Sequence, residues 1–291
     1  MSILKGVGVA LVTPFNEDLS VDFDSLTKLV DYNIENGTNY LVVLGTTAEA
    51  ATLSGEEKEQ VISHIIKANS GRVPLVLGIG GNNTMEVKKQ IEEADLSAFE
   101  AVLSVSPYYN KPSQEGLYQH YKVLAGTGKK IIIYNVPGRT GQNIEASTTL
   151  RLAEEFPNLI MIKEAAPNIL QYFDILRQKP QNFELVSGDD EFTLPITLAG
   201  GNGVISVIGQ GYPKEFSTMV QLAFDGKVKE AYETHNKLVE ITRLIFAEGN
   251  PAGIKTVLAE KGIIKNHLRL PLVKASAALQ DKIKSEMAKI G

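Results

Sequence analysis

Ile131-Ile132-Ile133-Tyr134, a helical stretch from Ala146 to Glu155, and then Leu159-Ile160-Met161-Ile162 form the passage that decides the fold. The two flanking runs are apolar throughout rather than alternating, as strands are when a parallel sheet is buried on both faces. Six more short Val- and Ile-rich runs extend the pattern in both directions. Val7 to Val12, Tyr40 to Leu44, Leu75 to Ile79 and Ala101 to Val105 precede it, and Glu184 to Val186 and Val204 to Val207 follow. The segments between them read as helices. One opens near Asp22, turns Phe23, Leu26, Leu29, Val30 and Ile34 to one face, and ends at Asn36-Gly37. Another opens at Ser54, with Glu57 placed for a capping box. Gln114 to Ala125, Asn168 to Arg177, Glu191 to Ala199 and Pro213 to Phe224 continue the series.

Strand-helix units in one unbroken series predict an α/β fold, a closed (β/α)8 TIM barrel rather than a doubly wound open sheet. After Gly226 the rhythm changes. Val228 to Phe246, Ala252 to Lys261 and Leu272 to Ile290 read as helices with no strand between them. The expected organisation is a barrel over residues 1–225 carrying the active site and a helical region over 226–291 packed on it, since no Pro/Gly/Ser-rich linker separates them.

Composition narrows the function classes. At 43% apolar and 22% charged residues the chain is an ordinary globular one with a substantial core. The net charge of -5, with Lys and Arg scattered, offers no footprint for nucleic acid or an anionic membrane. No run of about 18 apolar residues occurs, and Met1 to Gly6 lacks the order of a secretory signal, so a cytoplasmic location is expected. The absence of cysteine excludes disulfides, thiolate metal sites and a Cys nucleophile. His64, His120, His235 and His267 are not spaced as metal ligands, and Gly78-Ile79-Gly80-Gly81 lacks the remaining residues of a phosphate-binding loop. Asp189-Asp190 fits either a Mg2+ ligand pair or a helix cap, and the cap is the commoner use of adjacent acids at a turn.

In such a barrel the working residues stand where strands end. Lys163 follows a buried apolar run. Desolvation there favours the free amine, which can attack a carbonyl; the competing reading is a structural lysine paired with Glu164 or another acid. Tyr134 ends a strand and suits proton transfer, or else is an amphipathic core residue. Thr46 and Thr47 after Gly45 offer backbone N–H groups for a carboxylate and hydroxyls for proton transfer, although threonines in turns are common. Arg139, in a loop stiffened by Pro137, fits a carboxylate clamp or a solvated position. Tyr108 and Tyr109 are adjacent and cannot both enter one core, so one is expected to meet a ligand or another subunit.

Taken together, Gly45-Thr46-Thr47-Ala48-Glu49, Ser106-Pro107-Tyr108-Tyr109-Asn110-Lys111-Pro112, the run from Tyr134 to Gly141, Ile162-Lys163-Glu164-Ala165, Ser187-Gly188-Asp189-Asp190 and Gly203-Val204-Ile205-Ser206-Val207 resemble the dihydrodipicolinate synthase and N-acetylneuraminate lyase family of pyruvate-dependent class I aldolases. The resemblance spans nearly the whole chain, and the run containing Arg139 is similar to the synthase branch. It implies a lyase in which Lys163 forms a Schiff base with pyruvate and the enamine attacks aspartate 4-semialdehyde, giving 4-hydroxytetrahydrodipicolinate on the route to lysine and diaminopimelate. Tyr134, Thr46 and Tyr109 would relay protons, with Tyr109 serving the neighbouring subunit's site. Arg139 would hold the semialdehyde carboxylate, Thr46 and Thr47 the pyruvate carboxylate, and Gly188 and Ile205 would line the pocket. The resemblance also implies a homotetramer built as a dimer of dimers, and no cofactor or metal. Another aldolase or lyase acting on a longer 2-keto acid is the alternative within the family, and a non-catalytic keto-acid-binding protein the alternative outside it.

Two departures from the family pattern carry expectations of their own. Ala48 stands where glycine is usual, which raises the prospect of a left-handed backbone there, and Glu248 to Lys255 differs in a way expected to bear on packing without touching the catalytic set. Asn82, Glu86 and Tyr108 match the family's lysine effector site, but Gly55 and Lys58 replace its frequent histidines. A second cation repels the lysine ammonium, so weak or absent feedback is expected.

Overall fold

The computed structural model describes residues 3–290. Every apolar run identified above carries a strand: β1 (Gly6–Ala10), β2 (Tyr40–Val43), β3 (Leu75–Gly78), β4 (Ala101–Val105), β5 (Ile131–Asn135), β6 (Leu159–Glu164), β7 (Glu184–Ser187) and β8 (Gly203–Ser206). They follow one another around a closed barrel in chain order, with parallel pairing. β1 ends before Val12 because the Val12 N–H leaves the ladder for the side-chain carbonyl of Gln210, 3.0 Å away. β5 and β6 run beyond their apolar stretches to take in Asn135 and Lys163-Glu164.

The helices are α1 (Phe23–Glu35), α2 (Gly55–Asn69), α3 (Thr84–Glu93), α4 (Gln114–Ala125), α5 (Pro137–Thr140), α6 (Ala146–Glu155), α7 (Ile169–Gln178), α8 (Thr193–Leu198), α9 (Pro213–Phe224), α10 (Val228–Phe246), α11 (Ala252–Glu260) and α12 (Ala277–Ile290). Asp22 caps α1, and Ser54 with Glu57 closes the expected capping box on α2. α3 occupies one of the segments that read as helices, but the sequence offers no bounds for it. It buries only Val87 and Ile91, too thin an apolar stripe to stand out. α8 starts at Thr193 rather than Glu191 because the Asp189 carboxylate accepts the N–H groups of Glu191 and Phe192 in the turn before it. Asp189 thus shapes the turn that precedes α8 and is not its cap, since no side chain caps that helix. The last helix begins at Ala277, not Leu272. The Leu272 N–H turns back to the Arg269 carbonyl, and Ser276 caps α12 while its own N–H and hydroxyl go to Glu248.

The chain divides into two compact units. One comprises residues 75–205 with the segment ending at Lys5, and holds β3 to β7 and most of β8. Its core joins strand residues such as Val102, Ile133 and Ile162 to helix residues such as Leu117, Leu152 and Ile175. The other comprises residues 6–74 and 206–291, so the helical C-terminal region falls in the same unit as β1, β2, α1 and α2. Gly8 belongs to this unit. A Cβ there would lie 2.1 Å from the Tyr40 ring, so a glycine is what lets that ring pack against β1.

Candidate active site

In the first unit, β5 and β6 are aligned so that Tyr134 faces Lys163 and Asn135 faces Glu164. Side chains alternate along a strand, so the first pair points to one face of the sheet and the second pair to the other. The Lys163 Nζ lies 4.2 Å from the centroid of the Tyr134 ring. Both residues are buried, at 5% and 7% exposure. On the opposite face the Glu164 carboxylate accepts from Asn135 Nδ2 at 2.8 and 3.0 Å, Gln171 Nε2 at 2.8 Å and the Ala166 N–H at 2.7 Å. Lys163 is therefore not the partner of Glu164, and among the described residues no carboxylate pairs with it. Burial pushes the Glu164 carboxyl up to about 7, against the pull of those hydrogen bonds.

Gly188, just past β7, runs beside the lysine. Its N–H donates to the Glu164 carbonyl at 2.6 Å, and a Cβ at this position would stand 2.7 Å from Ala165 Cβ and 3.0 Å from Lys163 Cε. Only a residue without a side chain passes there undisturbed. Ile205 is buried in β8.

Arg139 is exposed on α5, a single turn that Pro137 opens and Gly141 closes at φ 74°. Asn135 anchors the return of this loop, accepting from the Ile144 N–H and donating to Asn143 Oδ1. A Cβ on Gly141 would come within 2.8 Å of Lys111 Cε, which shows how closely the Arg139 turn packs against the loop of Tyr108 and Tyr109. Neither of those tyrosines enters the core: Tyr108 is 43% exposed and Tyr109 90%. Tyr109 also adopts φ 73°, which an aromatic side chain takes only against a steric cost. Asn110 Nδ2 donates to the Asn82 carbonyl, joining this loop to the one before α3. Asn82 and Tyr108 are thus exposed on linked loops, and Glu86 is exposed in the first turn of α3.

In the second unit, β2 leads into a 3-10 turn over Thr46–Ala48. Thr46 is exposed and Thr47 buried. Leu44 (φ 55°) and Glu49 (φ 53°) bracket the turn in left-handed conformation. Ala48 itself lies within the 3-10 turn, where its carbonyl accepts from Thr13 Oγ1 at 2.7 Å, so its methyl imposes no left-handed strain. The segment Glu248 to Lys255 does more than pack. Asn250 Nδ2 donates to Thr47 Oγ1 at 2.9 Å. Lys255, fully buried on α11, meets the equally buried Glu49 at 2.5 Å. The other Glu49 oxygen accepts the Arg269 N–H at 3.0 Å. Burial lowers Lys255 to about 8, with Glu49 opposing the shift. The sequence did hold a signal for this contact: Lys255 interrupts the apolar stretch Ile254 to Leu258 on a helix buried nearly all round.

Comparison with known proteins agrees with this arrangement. The model of the dihydrodipicolinate synthetase family matches residues 3–290. A 4-hydroxy-tetrahydrodipicolinate synthase of Flavobacterium psychrophilum is 56% identical over 284 residues, covering 97% of each chain. Among solved structures, the dihydrodipicolinate synthase of Thermotoga maritima superposes with a TM-score of 0.96 at 39% identity, covering 100% of this chain and 99% of that one. The chloride-inhibited enzyme of Acinetobacter baumannii, complexed with pyruvate, gives 0.95 at 39% identity over 99% of both chains. The chain belongs to the dihydrodipicolinate synthetase family.

Proposed function

We propose that this protein condenses pyruvate with L-aspartate 4-semialdehyde to give 4-hydroxytetrahydrodipicolinate, through a Schiff base on Lys163. The observation that carries the reading is the register of β5 and β6, which sets a buried amine beside a phenol and turns the neighbouring carboxyl to the opposite face. An amine held in this way, without an ion-pair partner, is suited to nucleophilic attack.

The amine adds to the keto carbon of pyruvate, and loss of water leaves an iminium that acts as an electron sink. Removal of a methyl proton gives the enamine, whose carbon forms the new bond to the semialdehyde carbon while the aldehyde oxygen takes up a proton. The amino group of the semialdehyde then adds to the iminium carbon and displaces Lys163, closing the ring. The lysine returns to its starting state, and the electrons stay within the imine, so the steps as written require no cofactor.

Tyr134, Thr46 and Tyr109 are assigned to proton transfer, with Tyr109 acting in the neighbouring subunit's site; its 90% exposure in this protomer supports that role. Arg139 is assigned to the semialdehyde carboxylate and Thr46 and Thr47 to that of pyruvate, while Gly188 and Ile205 line the pocket. The working form is proposed to be a cytoplasmic homotetramer, with residues 226–291 as a supporting helical region. Among the described residues no helix is long and apolar enough to cross a membrane.

Borohydride trapping with pyruvate, followed by peptide mapping, tests the reading. An adduct on Lys163 that is absent from Lys163→Ala, together with semialdehyde consumption, is the expected result. An adduct without turnover would move the assignment to another aldolase of the family.

A further inference from the structure

We propose that Asn250 is a positioning residue for the pyruvate carboxylate: it holds the Thr47 hydroxyl so that its hydrogen points to the substrate, and the helical C-terminal region thereby sets pyruvate affinity. The inference rests on the assignment of Thr47 to the pyruvate site.

A threonine hydroxyl has one hydrogen and two lone pairs, and the amide nitrogen of asparagine can only donate. At 2.9 Å, Asn250 Nδ2 occupies one lone pair of Thr47 Oγ1, which leaves the hydroxyl hydrogen to be donated elsewhere. Thr47 and Asn250 are 3% and 8% exposed, so solvent has little access with which to reorient the pair. A donor fixed in advance toward a carboxylate needs no reorganisation when the ligand arrives.

The same part of the chain grips the turn a second time. Asn250 stands just before α11, and Lys255 on that helix holds Glu49, the left-handed residue that ends the turn. Lys255 Nζ also donates to the His267 carbonyl at 2.9 Å, and the Arg269 N–H holds Glu49 from the same C-terminal segment. Arg269 then reaches the Thr52 carbonyl and the Glu57 carboxylate at the start of α2. Residues 47 to 57 are therefore fastened at Thr47, Glu49, Thr52 and Glu57 by side chains or backbone from residues 250 to 269. Only the first of these contacts meets a group assigned to substrate. It alone is expected to change affinity as well as stability.

Asn250→Asp tests this with almost no change of shape. The carboxylate would accept the Thr47 hydrogen, turning the hydroxyl away from the ligand, and would add a negative charge near an incoming anion. A hydrogen bond to a charged group corresponds to about 10- to 100-fold in affinity, so the pyruvate concentration giving half-maximal trapping on Lys163 should rise at least about tenfold. The KM for the semialdehyde and kcat at saturating pyruvate should stay within about twofold. Thr47→Val should raise the pyruvate requirement similarly, and Asn250→Ala added to it should have no further effect. A lower melting temperature with unchanged half-saturation in Asn250→Asp, or an unchanged pyruvate requirement in Thr47→Val, would overturn the inference. So would an undiminished effect of Asn250→Ala in the Thr47→Val background. A wild-type protein that traps no pyruvate on Lys163 would overturn the proposed function and this inference together, whereas normal trapping with an insensitive Asn250→Asp overturns the inference alone.

Discussion

Replacing Gly188 by alanine should slow the reaction far more than it weakens the fold. The added Cβ would lie 2.7 Å from Ala165 Cβ, 3.0 Å from Lys163 Cε and 3.1 Å from the Glu164 carbonyl oxygen. Carbon atoms in ordinary contact stand about 3.5–4.0 Å apart, so the neighbours must yield by about 1 Å. Ala165 and the Glu164 carbonyl belong to backbone or sit directly on it, whereas Lys163 Cε is near the end of a flexible chain. The lysine moves first. Overpacking of this kind costs about 1–3 kcal/mol, while a displacement of about 1 Å in a reacting group lowers rates about 100-fold. Urea denaturation and the rate of borohydride trapping at saturating pyruvate measure the two effects separately. Gly55→Ala is the control, because a Cβ there meets nothing within 4 Å. If Gly188→Ala traps pyruvate and turns over within about threefold of wild type, the close passage of β7 beside Lys163 does not hold the amine in place, and the argument fails.

Glu164 makes folding stability depend on pH. Its folded value of about 7 lies above the ordinary 4.5, so its contribution is intact below about pH 4.5 and is lost as pH rises through 7, by about 3 kcal/mol in all. Glu164→Gln should abolish that slope between pH 4.5 and 7, and a denaturation midpoint that still falls over this range would assign the slope to other groups. Lys255→Met should destabilise by about 3–5 kcal/mol because it strands the buried Glu49 carboxylate, and adding Glu49→Gln should restore part of the loss. A double variant no more stable than the single one in urea denaturation would count against this. L-Lysine at sub-millimolar concentration should leave turnover of the purified enzyme essentially unchanged, given Gly55 and Lys58 at the positions noted above; clear inhibition in that range would place a working effector site at Asn82, Glu86 and Tyr108.

The barrel was legible in the sequence because strands buried on both faces must be apolar at every position, and runs such as Ile131 to Ile133 satisfy that without any alternation to decode. The bounds of α3 escaped because Val87 and Ile91 alone face the core. Tyr134 and Lys163 were legible as the first polar residues after apolar runs. Asn250 was not, since it meets Thr47 across 203 positions of sequence and no local pattern encodes such a contact. The left-handed positions around Thr47 were illegible for a different reason. They fall on Leu44 and Glu49, residues that carry no turn signal, whereas glycine is the residue expected of a left-handed position.

Lys163 and Glu164 are neighbours with opposite surroundings, and the parity of one strand decides which of them meets Tyr134. A slip of β6 by one residue against β5 would exchange their faces, placing the carboxyl beside the phenol and the ammonium beside the Asn135 and Gln171 amides. Both of those groups are donors toward this position, so they satisfy a carboxylate and repel an ammonium. Tyr172 adds a further restraint by donating its hydroxyl to the Glu164 carbonyl at 2.6 Å. The buried cluster around Glu164 thus costs stability at neutral pH through its desolvated carboxyl, yet it penalises the one register error that would remove the amine from the site. The Glu164 carboxylate is held on the face opposite Tyr134, and there it fixes which face of β6 the lysine occupies.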